Sequence, residues 1–308
     1  MLMLIPQTKV AVLLAAYNGK VWLEEQLATI QAQRGVAVHI YISVDASSDG
    51  TEIWCSDYAR RHGNVSLVPP AEQCGGAARN FFHLICNVNF EEFDLVALAD
   101  QDDRWQLDKL SRAAMCIAET SAQAYSSSVT AFWPDGRRKF LSKSQRQVKW
   151  DHYFEAAGPG CTYVMTKTFA RYLQGQVRDK WVELQRVSLH DWYIYALARS
   201  QGYAWHIDNQ SGLDYRQHDN NQFGANVGYV ALKSRYLKIR SGWWLGQVQL
   251  IESLVNANAA CRPTWRALNR SALIRLGLCA YQCRRRMRDK IYFAALCFAL
   301  AIIGTRME

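Results

Sequence analysis

The sequence predicts an α/β fold built on a Rossmann-like, mostly parallel sheet flanked by helices, and three observations carry that prediction. Apolar runs and amphipathic stretches alternate at regular spacing from Val10 to Glu119, the rhythm of a doubly wound sheet. The runs at 10–16 and 95–99 are continuously apolar, as in strands buried on both faces. These strands run out into turn residues or acids, on the side where open α/β sheets bind ligands.

Taken in order, residues 10–16 form a buried strand that breaks at Tyr17-Asn18-Gly19, and 22–33 an amphipathic helix. Residues 39–44 form a second strand ending at Asp45, and Ser47-Ser48-Asp49-Gly50-Thr51 is a turn leading into a helix over 52–61. Residues 65–68 make a short third strand closed by Pro69-Pro70, and the Gly75-Gly76 loop leads to a helix over 79–86. A strand over 95–99 and a helix over 107–119 complete the regular part. Beyond it, 121–149 is polar and basic with a serine run, a composition that leaves room for a mobile loop within it. Gly158-Pro159-Gly160-Cys161-Thr162 precedes a short apolar run at 163–165; His190-Asp191 opens a helix over 192–199; 205–207 reads as an edge strand and 215–224 as loop.

The 308 residues suffice for one large domain with an appendage. The nine cysteines are scattered, with no paired C-x-x-C arrangement of zinc spacing, which fits a reduced, cytosolic setting better than a disulfide framework. The N-terminal residues lack the pattern of a signal peptide. The net charge of +9 is concentrated: Arg262 to Lys290 holds nine basic residues against Asp289 alone. A nucleic-acid surface usually runs across a folded domain, so this distribution argues against nucleic-acid binding. The uncharged, mostly apolar stretch 291–303 follows the basic cluster. As a helix it spans about 20 Å, short of the ~30 Å hydrocarbon core. Two readings stand: an interfacial anchor on an anionic membrane surface, or a helix docked on the domain with its arginines in solvent.

The most informative stretch is Leu95-Val96-Ala97-Leu98-Ala99-Asp100-Gln101-Asp102-Asp103. Carboxylates this close repel unless a cation lies between them, and oxygen ligands suit Mg2+ or Mn2+. A solvated acidic turn is the plainer alternative. Asp45 ends another strand on the same edge, where an acid can accept hydrogen bonds from a base or ribose hydroxyl. No G-x-G-x-x-G follows the first strand and no P-loop motif occurs, which excludes a typical dehydrogenase or P-loop NTPase. From the residues alone, Asp191 also reads as a helix N-cap, Asp49 as a turn or cap residue, and Trp105 and Trp192 as packing.

Several segments together resemble family 2 glycosyltransferases, and within them the bacterial rhamnosyltransferase-like subgroup. They are 12–19 (VLLAAYNG), Glu24-Glu25-Gln26-Leu27, Asp45-Ala46-Ser47-Ser48-Asp49-Gly50-Thr51, Asn80-Phe81, Ala99-Asp100-Gln101-Asp102-Asp103-Arg104-Trp105, Asp108-Lys109, His190-Asp191-Trp192 and the stretch 215–225. The resemblance covers roughly 9–226 and implies a GT-A fold and a nucleotide-sugar donor. It implies that Ala15 and Tyr17 border the nucleotide, with Asp45 on the base. Asp100 and Asp102 would be a D-x-D pair for Mn2+ or Mg2+, with Asp100 also toward the donor and His218 joining at the metal or diphosphate. Asp191 would be the catalytic base. Gly160, Cys161, Thr162, His190 and Trp192 would form the acceptor side. Val44, Ala46 and Asp219 depart from the usual pattern, which carries an acid at the first position and Gly at the other two.

The implied enzyme is an inverting, metal-dependent hexosyltransferase. It would move a sugar, L-rhamnose from dTDP-rhamnose in the subgroup's case, to a glycan or lipid-linked saccharide in surface polysaccharide or lipopolysaccharide assembly. The expected organisation is a GT-A domain over 1–235, with donor half 9–120 and acceptor half 121–235, then a helical extension over 236–308 resting on the inner face of the cell membrane. The rival readings are a phosphohydrolase using the D-x-D acids and a degenerate transferase serving as a membrane scaffold. In phosphohydrolases, however, the acids follow the first strand, whereas here Tyr17-Asn18-Gly19 does.

Overall fold

The structure is a computed structural model that describes residues 7–69, 74–218, 242–255 and 269–303. Its strands are β1 (Thr8–Ala16), β2 (Val36–Val44), β3 (Val65–Leu67), β4 (Leu95–Ala99), β5 (Arg104–Trp105), β6 (Ala124–Phe132), β7 (Arg138–Leu141), β8 (Val164–Thr166) and β9 (Trp205–Arg216). The helices of the main body are α1 (Lys20–Gln31), α2 (Thr51–Arg61), α3 (Ala77–Asn87), α4 (Lys109–Thr120), α5 (Lys167–Asp179), α6 (Trp181–Leu184) and α7 (His190–Ser200).

One sheet holds all the strands, in the order β3-β2-β1-β4-β8-β6-β9-β5, with β7 pairing to β6. The first four in that order are parallel, as the buried apolar runs predict. Past β4 the sheet becomes mixed: β8 is antiparallel to both β4 and β6, and β6 is parallel to β9. Alternate residues of β1 serve opposite faces. Ala11, Leu13 and Ala15 meet α3, α5 and α7, while Val10, Val12, Leu14 and Ala16 meet α1, α2 and α4. The sheet is therefore covered on both sides, and its open edge is the carboxyl end of the parallel strands.

The serine run itself lies in a strand: β6 is interior, and Ser126, Ser127 and Ser128 are fully buried, while irregular chain follows β7 over 142–148. The hydroxyls of Ser126 and Ser128 find partners there. Ser126 Oγ donates to the Ala157 carbonyl (3.2 Å) and accepts from Trp205 Nε1 (3.0 Å), and Ser128 Oγ donates to the Asp208 carbonyl (3.2 Å). Residues 205–207 pair with β6 and begin a longer strand than expected, β9, which takes in Tyr215 and Arg216 of the expected loop and is joined by β5 at Leu213 and Asp214. Residues 219–224 of that loop lie outside the described residues.

The C-terminal helices Trp243–Val255, Arg270–Leu278, Ala280–Cys283 and Met287–Ile303 pack on the α3–α5–α7 side. Phe293, Cys297 and Ala301 form a buried stripe at four-residue spacing, while Ile291 and Tyr292 are exposed. The arm is thus docked on one face and apolar on the other, combining features of both sequence readings. Its arginines, however, are divided: Arg284 and Arg285 turn inward onto Glu155 and Asp151, whereas Arg270, Arg275 and Arg288 are exposed. Among the described residues no helix is long and apolar enough to cross a membrane.

Phe293 meets Phe154 and Trp244 at ring-centroid distances of 4.9 and 5.8 Å. Phe293→Ala is expected to lower unfolding stability by about 3–5 kcal/mol. Ile302→Ala, at an exposed position, should stay within about 0.5 kcal/mol. Urea unfolding of both variants checks this difference.

Candidate active site

One end of the crevice is built from β1 and β2. Asn80, buried on α3, donates to the carbonyls of Ala16 (3.3 Å) and Ser43 (3.2 Å), tying the two strand ends together. Asp45 is buried, and its carboxylate accepts from the backbone N–H groups of Ala46 (2.9 Å), Cys74 (2.8 Å) and Gly75 (2.8 Å). It therefore holds the 74–75 loop against the strand end. A groove of about 390 Å3 opens beside it, with walls from Ile42, Val44, Leu67, Val68 and Pro69. Asp49 is a turn residue: it accepts from Thr51 N–H (3.0 Å) and Lys20 N–H (3.1 Å).

Gln101, unassigned by sequence reasoning, joins this end to the acids. Its amide accepts from Tyr17 N–H (2.8 Å) and donates to the Tyr17 carbonyl (2.9 Å). A Cβ at position 19 would overlap that amide, so glycine there permits the clamp. Ala15 is buried beneath, and Tyr17 is exposed at the rim.

Beyond β4 the three acids divide, Asp102 turning to His218 while Asp100 and Asp103 come together. Asp102 Oδ2 meets His218 Nε2 at 2.7 Å, and the His218 ring stacks on Trp22 at 4.3 Å. The carboxylates of Asp100 and Asp103 and the thiol of Cys161 converge, their ligand atoms all within 4.8 Å of one another. Burial and the Asp102 charge raise the Asp100 carboxyl to about 7. Burial and the neighbouring acids push Asp103 up as well. This is uncompensated negative charge at a partly open site, and it fits a hard divalent cation. Cys161 is a poor ligand for such an ion: its thiol is soft, and burial beside the acids pushes its pKa up, holding it protonated.

Asp103 does have a structural task. It accepts from Arg216 N–H (3.1 Å), while Arg216 Nε donates to the Asp102 carbonyl (2.7 Å) and its guanidinium pairs with Glu25. The end of β9 is thereby pinned to the acidic loop, bringing His218 to Asp102. Lys109, buried with its ammonium 3.5 Å from the Trp105 ring centroid, adds positive charge facing Asp103 and Cys161, and burial lowers it to about 7.

On the opposite wall, α7 starts at His190, with Leu189 as its N-cap residue and no side-chain cap hydrogen bond. Asp191 is therefore not the cap. Its Oδ1 accepts from the adjacent Trp192 N–H (2.8 Å). Burial raises its carboxyl to about 6, against the Lys143 charge, which lowers it. Asp100 and Asp191 feel each other's charge, so the two walls share one crevice.

His190 is buried, stacked on Phe81 at 4.0 Å, and burial lowers it to about 3, which keeps it neutral. A side chain at position 160 would run into its ring. Cys161 and Thr162 are fully buried, so neither presents its side chain to the crevice surface. The expectation that Trp192 meets an acceptor is corrected: only 4% of it is exposed, and its indole N–H is spent on the His152 carbonyl (3.1 Å).

An α/β sheet with nucleotide-side and acidic elements on one edge and an isolated carboxylate facing them is the arrangement of a GT-A glycosyltransferase. The chain belongs to the family described as glycosyltransferase like family 2, whose pattern matches residues 6–146, and it is a glycosyltransferase. It is 38% identical over 285 residues to the dTDP-rhamnosyl transferase RfbG of Shigella flexneri, covering 91% of this chain and 96% of that one. Its fold is similar to S. aureus TarS 1-349 in complex with UDP-GlcNAc, with a TM-score of 0.55 at 14% identity, covering 96% and 82% of the two chains. It is also similar to the mannosyltransferase PcManGT from Pyrobaculum calidifontis in complex with GDP-Man and Mn2+, with a TM-score of 0.52 at 16% identity, covering 97% and 76%.

Because Lys143 favours the ionised form of Asp191, Lys143→Met is expected to raise the Asp191 midpoint above about 6. Carbon-detected NMR titration of labelled aspartate checks this; an unchanged or lower midpoint contradicts it.

Proposed function

We propose that this glycosyltransferase moves L-rhamnose from dTDP-rhamnose, with inversion, to a glycan or lipid-linked saccharide during assembly of a bacterial surface polysaccharide. The likeness to a dTDP-rhamnosyl transferase along nearly the whole chain supports the donor. The observation that carries the reaction type is the division of acids: a clustered set after β4, and across the crevice a lone carboxylate whose environment holds its midpoint near 6.

The flat base enters the apolar groove beside Asp45, and the sugar diphosphate runs past Tyr17 and Gln101 toward the acids. Asp100, Asp102 and His218 would hold Mn2+ or Mg2+, which when bound offsets the negative charge growing on the leaving diphosphate. Asp191 takes the proton from the acceptor hydroxyl as that oxygen attacks the anomeric carbon. Attack from the face opposite the diphosphate inverts the anomeric centre. The 160–162 turn and the buried His190 fix the floor on which the acceptor rests. Residues 1–235 make up the transfer domain in this reading and 236–308 an arm. The exposed Ile291, Tyr292 and Ile302 of that arm, together with Arg270, Arg275 and Arg288, suit the surface of an anionic bilayer on the cytoplasmic side.

Transfer of radiolabel from dTDP-rhamnose to lipid-linked saccharide tests the assignment. Asp102→Ala and Asp191→Asn are each expected to lower the rate by at least ~100-fold. An undiminished rate in either removes its assigned role. Vesicle flotation tests the arm: binding to anionic vesicles should exceed binding to neutral ones and fall when Ile291, Tyr292 and Ile302 are changed to Ser. Equal binding to both vesicle types contradicts it.

A further inference from the structure

The arginines that turn inward from the arm end close to Asp191. Arg285 is only 8% exposed. Its backbone N–H donates to Glu155 Oε1 (2.7 Å), its guanidinium donates to the Ala156 carbonyl (2.5 Å), and it lies 3.7 Å from Asp151 Oδ2. Arg284 donates to the Phe154 carbonyl (2.8 Å), and Trp150 N–H donates to the Gln282 carbonyl (2.7 Å). One short stretch of the arm thus grips successive backbone groups of the 150–156 segment.

From that segment two routes lead to Asp191. Along the first, Ala157 N–H donates to Tyr163 Oη (3.1 Å), and the Tyr163 hydroxyl donates to the Asp191 carbonyl (3.2 Å). Along the second, Asp151 accepts from Tyr195 (2.8 Å) and Arg199 (3.1 Å). Asp191, Tyr195 and Arg199 are spaced four apart on α7 and so share one face of it. Lys143, whose stem would contact a side chain at position 158, faces Asp191, Glu155, Arg285 and Arg286. A buried ion cluster of this kind adds little net stability over apolar packing. What it can supply is a fixed geometry.

We propose that Arg285 is a positioning residue for sugar transfer: through Ala156, Ala157 and Tyr163 the C-terminal arm sets where the Asp191 carboxylate stands against the acceptor hydroxyl. This rests on the reading of Asp191 as the base. It makes the arm part of the acceptor site as well as a surface for membrane contact.

Arg285→Lys keeps the charge but cannot bridge Ala156 and Asp151 in the same way, and Tyr163→Phe keeps the ring while removing the relay. Full-length variants are compared with Asp191→Asn, with rates expressed per site that binds dTDP in the presence of Mn2+. Both relay variants are expected to lose kcat by at least tenfold, since a displacement of about 1 Å in a reacting group can cost on the order of 100-fold. Their donor KM should stay within twofold of the parent. A kcat within twofold of the parent in both, with transfer lost in Asp191→Asn, overturns the positioning role alone. A donor KM that rises in step with the loss of kcat overturns it too, because the damage is then general. Full transfer by Asp191→Asn overturns the base and with it the positioning role.

Discussion

Everything in the crevice answers to the negative charge crowded at the end of β4. Two like charges about 4 Å apart near a protein surface cost roughly 4 kcal/mol, and here three acids follow a fully buried strand. Part of that charge is balanced within the protein. The buried Lys109 faces Asp103, the Arg216 backbone N–H donates to Asp103, and His218 meets Asp102 at 2.7 Å. At Asp100 burial, with the Asp102 charge, raises the carboxyl to about 7. A divalent ion with a diphosphate would complete this arrangement. The acidic loop also acts as a clamp that pins the end of β9 through Arg216.

The second carboxylate works because it is kept apart from this cluster. Asp191 sits across the crevice on a different helix, held by burial near the pH at which a base can both take and release a proton. Lys143 limits how far burial can raise it. In the proposed reading, separate environments let one type of side chain bind a cation on one wall and accept a proton on the other.

The donor half was legible because its signals are local. β1 and β4 are continuous apolar runs, the acids follow directly, and Asp45 closes β2, so period and order were enough. What escaped were features whose partners lie far away in sequence. β6 did not read as a strand because its serines are polar, yet the hydroxyls of Ser126 and Ser128 are satisfied by Ala157, Trp205 and Asp208. Trp192 looked able to face a sugar, but its N–H is used by His152. Asp103 had no visible role, since Arg216 reaches it from more than a hundred residues away. The arm's arginines read as one solvated cluster, while Glu155 and Asp151 had already claimed two of them.

The central claim is that the acids after β4 hold the ion that receives the donor diphosphate. Its most direct test is Mn2+ titration followed by the EPR signal of the free ion, with and without dTDP. The account predicts a single bound ion, held more tightly when dTDP is present, and no such binding in the Asp100→Asn/Asp102→Asn double variant. Equal Mn2+ uptake by that variant and the parent, unaffected by dTDP, would contradict it.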